Sequence, residues 1–173
     1  DVDTASRRVR VQAGVVRNEL NLYLQRAGLF FPPETSTANR AMIGGMIGNN
    51  ACGANSIVYG TTRDHLVAAR GFLSDGSLAT FGPLSVEQFA AKCDGPESLE
   101  TRIYRTVGET LGDPANRELI RAHYPKSTVT RRNTGYALDQ LMACSVFEPS
   151  SNEPFNLCRL IAGSEGTLFI GTE

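Results

Sequence analysis

Three short segments of this chain hold the residue types that could do chemistry. The first runs from residue 32 to residue 53. It contains Gly44, Gly45, Gly48 and Gly53, the hydroxyls of Thr35, Ser36 and Thr37, and the amides of Asn49 and Asn50. A ligand can approach a backbone closely only where side chains are absent. Backbone N–H groups exposed at such a surface donate to phosphate oxygens as an anion-binding nest does. Hydroxyls and side-chain amides add further donors and acceptors. The glycine spacing is neither the dinucleotide fingerprint nor the Walker loop, since no G-x-G-x-x-G and no Gly-Lys-Ser/Thr occurs in it. The competing reading is that the same glycines mark tight turns and close packing, and composition alone leaves the two readings level.

The second segment is Gly163, Ser164, Glu165, Gly166, Thr167 and Leu168, a small-residue turn leading into an apolar strand. Its backbone amides and the Ser164 hydroxyl could face a ligand. A helix C-cap followed by a turn would explain the same residues. The third is Arg131, Arg132, Asn133, Thr134, Gly135 and Tyr136. Paired arginines suit carboxylate or phosphate recognition, and a solvated basic loop is the alternative. His65 and His123 have no evident catalytic partner in sequence, so no catalytic acid or base is expected here. The four cysteines, Cys52, Cys93, Cys144 and Cys158, lack the close spacing of a zinc or iron–sulfur site, and no metal is expected.

The elements around these segments read as α+β. Alternating valines predict a strand over 7–13. Apolar residues at Val16, Leu20, Tyr23, Leu24 and Ala27 predict a helix over 16–27, closed by Gly28. Pro32 and Pro33 impose extended chain. Residues 35–60 are dominated by small and polar types. Strands are expected over 65–74 and 77–81, joined by an Asp75–Gly76 hairpin turn. Helices are expected over 85–92, 97–111, 115–124, 136–143 and 157–162, and a terminal strand over 167–172. The polar stretch 125–133 reads as loop.

Composition narrows the function classes. Apolar residues make up 41% of the chain, enough for a core, and formal net charge is -1. The charge balance disfavours a nucleic-acid binder. No apolar run reaches the length of a transmembrane helix, and no signal peptide is visible. Reduced, mostly buried cysteines in a cytoplasmic protein are expected. Both ends look cut from a longer polypeptide.

Together the three segments resemble the FAD-binding domain of the vanillyl-alcohol-oxidase or PCMH type, the FAD-linked oxidase family. The carrying motifs are Val11, Gly14 and Val15; the helix to Ala27 with Gly28, Leu29, Pro32 and Pro33; Met42, Ile43, Gly44 and Gly45; Asn49, Asn50 and Gly53; Tyr59 and Gly60; the Asp75–Gly76 turn; Asn133 to Tyr136; and Gly163 to Leu168. The match covers nearly the whole chain, with a helical insertion at 85–130. Met42 departs from the family's usual threonine and Phe169 from its frequent glycine.

The resemblance implies a mixed or antiparallel sheet flanked by helices, the second subdomain of such a domain. It implies that Pro33, Glu34, Thr35, Ser36, Thr37, Gly44, Gly45, Gly48, Asn49, Asn50, Ala51, Gly53, Gly60, Gly163, Ser164, Glu165, Gly166 and Thr167 contact FAD. Arg131 and Arg132 would be the reach toward an anionic substrate. It implies a parent enzyme that oxidises a small 2-hydroxy acid such as D-lactate, glycolate or D-2-hydroxyglutarate. The substrate cap and first pyrophosphate subdomain would lie outside residues 1–173, as would any iron–sulfur cluster. The insertion resembles the branch that fuses such a domain to an iron–sulfur region. Without those parts the chain is expected to bind FAD weakly or not at all and to show no turnover. The electron acceptor is not specified, and peripheral membrane association of the parent is compatible with the resemblance. The alternatives are an FAD-dependent oxidase of another alcohol and a non-catalytic module whose glycines are structural.

Overall fold

In a computed structural model, residues 1–126, 128–129, 131 and 135–173 are described. The chain is α+β, with helices packed around two small sheets whose ladders are antiparallel. Strands β1 (Val2–Asp3) and β2 (Arg8–Val9) form one sheet. Strands β3 (Ala69–Phe72), β4 (Leu78–Phe81) and β5 (Ile170–Gly171) form the other, in the order β4-β3-β5.

The expected strand over 7–13 shortens to β2. Beyond it the backbone finds partners in neighbouring loops rather than in a ladder: the Ala13 N–H donates to the Thr172 carbonyl, and Ile43 and Gly44 donate back to Val15 and Ala13. The helix after it is α1 (Arg17–Leu24), continued by a 3-10 turn at Gln25–Ala27. Gly28 ends it at φ 67°, a conformation that glycine adopts without the Cβ penalty. The Asn21 side chain then secures the extended segment by pairing with both the amide and the carbonyl of Phe31.

Residues 35–60, dominated by small and polar types, contain α2 (Ile43–Asn49) and α3 (Ser56–Tyr59). Of the expected strand 65–74, His65 closes α4 (Thr62–His65) and the strand itself begins only at Ala69. The Asp64 carboxylate accepts from the Thr61 amide and hydroxyl and starts that short helix. The Asp75–Gly76 turn does join β3 to β4, with Ala69 opposite Phe81 and Phe72 opposite Leu78.

The following helices match the sequence signals closely. Helix α5 (Val86–Cys93) carries a capping box between Ser85 and Gln88. Helix α6 (Leu99–Gly112) is capped by Ser98, and α7 (Pro114–His123) by Asp113 with Pro114 in the first turn. Helices α8 (Leu138–Met142) and α9 (Cys158–Ile161) are shorter than expected. The terminal strand contracts to β5.

Two cores result. The larger gathers Phe81, Phe89, Tyr104, Phe147 and Phe155 with aliphatic side chains of α6–α9. The smaller consists of Leu20, Leu24, Ile43 and Met46. Phe169, one of the two departures from the family pattern, belongs to the larger core and lies 5.4 Å from Phe81. Gly71 makes room for it, since a Cβ there would lie 2.7 Å from the Phe169 ring and 2.1 Å from the Ile170 carbonyl oxygen. Met42, the other departure, is exposed beside α2.

Candidate functional site

Helix α2 is an improbable helix by propensity. Three of its seven residues are Gly44, Gly45 and Gly48, and each glycine costs a helix roughly 0.5–1 kcal/mol relative to alanine. Tertiary contacts hold it. Ile43 and Met46 bury their side chains in the smaller core. At its start the Ile43 and Gly44 amides donate to Val15 and Ala13, each at 2.9 Å. At its end Asn50 adopts φ 52°, and the Ala51 amide returns to the Met46 carbonyl at 2.9 Å. The glycines hid this helix from sequence reasoning, because its support comes from residues distant in sequence.

The 163–167 loop docks on the C-terminal end of α2. The Gly163 amide donates to the Ile47 carbonyl, and the Glu165 amide to the Gly48 carbonyl, each at 2.9 Å. The Asn49 side-chain amide donates to Glu165 Oε1 at 3.0 Å. The first and second chemistry-bearing segments of the sequence are therefore one junction in space.

Arg63 braces that junction from within. It is 3% exposed. Its Nε donates to the Arg159 carbonyl at 2.9 Å. Its terminal nitrogen donates to the carbonyls of Ala162 and Gly135. Its backbone amide donates to Asn50 Oδ1 at 2.8 Å. Sequence reasoning missed Arg63, since nothing in the local pattern separates a buried arginine from a solvated one.

The glycines divide sharply when each is asked whether a side chain would fit. Gly53, at φ 60°, would place a Cβ 2.4 Å from the Glu34 carbonyl oxygen. Gly44 would place one 2.8 Å from the Ala13 Cβ, and Gly163 one 2.7 Å from an Arg63 nitrogen. Gly60, at φ 79°, would place one 2.6 Å from an Asp64 oxygen. Packing accounts for these four. Gly45 has nothing within 4 Å of its would-be Cβ, and Gly48 meets only ordinary contact at 3.8 Å from the Gly166 nitrogen. The chain's own packing requires neither. Gly48 faces the loop across the seam and its carbonyl takes the Glu165 amide, so the uncovered backbone face is that of Gly45.

The remaining predicted residues form a second group around residues 33–37. Glu34 and Gly53 touch, and Glu34 Oε2 accepts from the Asn55 amide at 2.9 Å. Buried Pro33 gives its carbonyl to Arg17 Nε at 3.1 Å. Thr35 and Thr37 share a hydroxyl–hydroxyl bond at 3.1 Å, while Ser36 is exposed. Among the described residues no hydrogen bond joins residues 33–37 to the 163–167 loop; residues 50–53 are the covalent link between the groups. Ala51 secures that link, its carbonyl accepting from both the amide and the hydroxyl of Thr62.

Several donors proposed from sequence are already engaged within the chain. The amides of Gly44, Gly163, Ser164, Glu165 and Thr167 all have backbone partners. The Thr167 hydroxyl donates to the Ser164 carbonyl at 2.6 Å and lies 2.6 Å from the Tyr136 hydroxyl. What the face offers a ligand is exposed backbone at Gly45 and Gly166 and the second N–H of the Asn49 amide, with the hydroxyls of the 35–37 turn in the other group. Arg131 is exposed, and Arg132, Asn133 and Thr134 lie outside the described residues.

Residues 1–82 match a family described as FAD binding domain. The chain is 42% identical over 165 residues to a D-2-hydroxyglutarate dehydrogenase of Escherichia coli, covering 95% of this chain and 15% of that protein. It is 39% identical over 170 residues to a D-2-hydroxyglutarate dehydrogenase of Pantoea ananatis, covering 97% of this chain and 15% of that protein. A D-lactate dehydrogenase of Archaeoglobus fulgidus is 34% identical over 87 residues, covering 50% of this chain and 19% of that protein. The chain thus spans about 15% of the length of the first two relatives.

Proposed function

We propose, from the match of residues 1–82 to a family described as FAD binding domain, that this chain is the cofactor-holding part of a dehydrogenase that oxidises a small 2-hydroxy acid. The substrate class is D-2-hydroxyglutarate first and D-lactate or glycolate second. That order rests on relatives at 36–42% identity over nearly the whole chain, all carrying the first name.

The observation that carries the reading is the uncovered backbone at Gly45. A helix-interior glycine costs stability, and here packing does not call for it. A cofactor resting on the helix surface does. The donor set fits FAD as well: hydroxyls and side-chain amides suit a pyrophosphate and a flavin edge, and bare glycine backbone admits both at short range. Gly45, Gly166 and Asn49 would hold the cofactor at the α2 junction. Thr35, Ser36 and Thr37 would meet it from the second group. Gly48, Asn50, Ala51, Gly53, Gly60 and Gly163 act one layer behind by fixing the backbone. Bound FAD supplies the hydride acceptor for oxidation at the hydroxyl-bearing carbon. The protein's part here is binding, orientation and exclusion of water.

Arg131 and Arg132 are proposed as the contact with the substrate's carboxylate. Residues 85–130 are proposed as a helical insertion in the FAD-binding domain. Cytoplasmic residence is proposed on the four free cysteines. No helix among the described residues is long and apolar enough to cross a membrane.

The test is anaerobic addition of D-2-hydroxyglutarate to the intact protein carrying FAD. The expected result is bleaching of the flavin absorbance, with D-lactate slower. Flavin absorbance that no 2-hydroxy acid bleaches would discard the substrate class and keep the cofactor. A protein that takes up no FAD would leave the structural reading of the glycines in place.

A further inference from the structure

The 163–167 loop contains an oddity that cofactor contact alone does not explain. Gly163, Glu165 and Gly166 all have positive φ, at 93°, 52° and 76°. Glycine takes that conformation freely, but a glutamate pays for it through its Cβ. Glu165 is followed directly by Gly166 and is still not a glycine itself. A strained residue persists where its surroundings over-determine it, so its side chain must do something a glycine could not.

What it does is visible. Glu165 Oε1 accepts from the Asn49 side-chain amide at 3.0 Å, while its own amide donates to the Gly48 carbonyl at 2.9 Å. Two adjacent residues of α2 are thereby tied to one residue of the loop, once by backbone and once by side chain. The tie spans the seam beside Gly48, where a Cβ would lie 3.9 Å from the Glu165 Cα. Asn49 and Glu165 are both exposed, so the tie closes the junction from outside while Arg63 braces it from inside. Exposed pairs contribute little to global stability. The effect of this one is local: it fixes the distance between two backbone faces.

We propose that Asn49 and Glu165 are a positioning pair, a latch that holds the α2 and 163–167 faces at the separation the cofactor needs. The inference rests on the reading that FAD occupies this junction. A face held in place beforehand binds more tightly, because less ordering remains to be done on binding.

The substitutions Glu165→Gly and Glu165→Gln separate positioning from folding. Glutamine keeps an oxygen acceptor for the Asn49 amide. Glycine removes the acceptor and also relieves the strained φ. Three quantities are read on the intact protein: apo thermal midpoint, hydrogen exchange of the Gly163 and Glu165-position amides, and FAD affinity by fluorescence titration. The latch predicts that E165G leaves the midpoint equal or higher, accelerates exchange at both amides, and weakens FAD by about tenfold. E165Q stays within about twofold of wild type in affinity. N49A is expected to follow E165G in exchange.

E165G protein that binds FAD as wild type does overturns the proposal, whether or not exchange has changed. A lowered midpoint shared equally by E165G and E165Q also overturns it, and makes Glu165 a folding residue. Wild-type protein that takes up no FAD, with exchange still responding to E165G, overturns the cofactor reading and reduces the latch to a structural tie.

Discussion

The two cores of this protein are built by opposite means. In the larger, Phe155 is fully buried and its ring lies 4.5 Å from Phe89, 6.0 Å from Tyr104 and 6.2 Å from Phe147. Side chains fill that space, and the helices α5, α6 and α7 around it have ordinary caps and apolar faces. In the smaller, four aliphatic side chains sit beneath a helix with three glycines. Much of what holds that region is backbone: carbonyls and amides of residues 13–15, 41–51 and 163–165 bonded to one another. A region of the first kind is stable by itself. One of the second kind presents its backbone at the surface and gives up packing to do so. That is a sound arrangement for a ligand site and a weak one for a core.

The difference also decides what could be read from sequence. The capped helices were legible because their signals are local: Ser85 with Gln88, Ser98, and Asp113 followed by Pro114. The Asp75–Gly76 turn was legible for the same reason. Helix α2 was not, since glycines argue against a helix and its supports lie at Ala13, Val15 and Glu165. The site residues were legible as types. The division between glycines required by packing and glycines that leave space was not, because it depends on Glu34, Ala13, Asp64 and Arg63 lying where they do. Arg63 itself was invisible for that reason.

The largest effect that would break the contrast is in the aromatic core. Phe155→Ala should lower unfolding free energy by about 3–5 kcal/mol, measured by urea denaturation. A loss near 1 kcal/mol would mean that the larger core is not a side-chain-packed unit.

A smaller effect sharpens it through pH. Burial pushes the Cys158 thiol up from 9.0 to about 12. Burial likewise raises Tyr104, Cys144 and Cys93. Below about pH 9 the folded and unfolded states both keep the Cys158 proton, so its contribution is constant. Above that the unfolded thiol ionises first, and stability falls until the folded pKa is reached. The expected slope from this group is about 1.4 kcal/mol per pH unit between about pH 9 and 12. Cys158→Ala should make the decline shallower. A stability that is level through about pH 10.5 would contradict the burial argument.

The most direct test of the central claim is the FAD affinity of Gly45→Ala, measured beside its apo stability on the intact protein. A Cβ at this position meets nothing within 4 Å, so alanine should stabilise α2 by roughly 0.5–1 kcal/mol. If FAD rests on this face, the same methyl group obstructs it, and affinity should fall by about tenfold even as the apo protein becomes more stable. A more stable protein that binds FAD as well as wild type would contradict the account and show that the uncovered backbone of α2 is not where the cofactor lies.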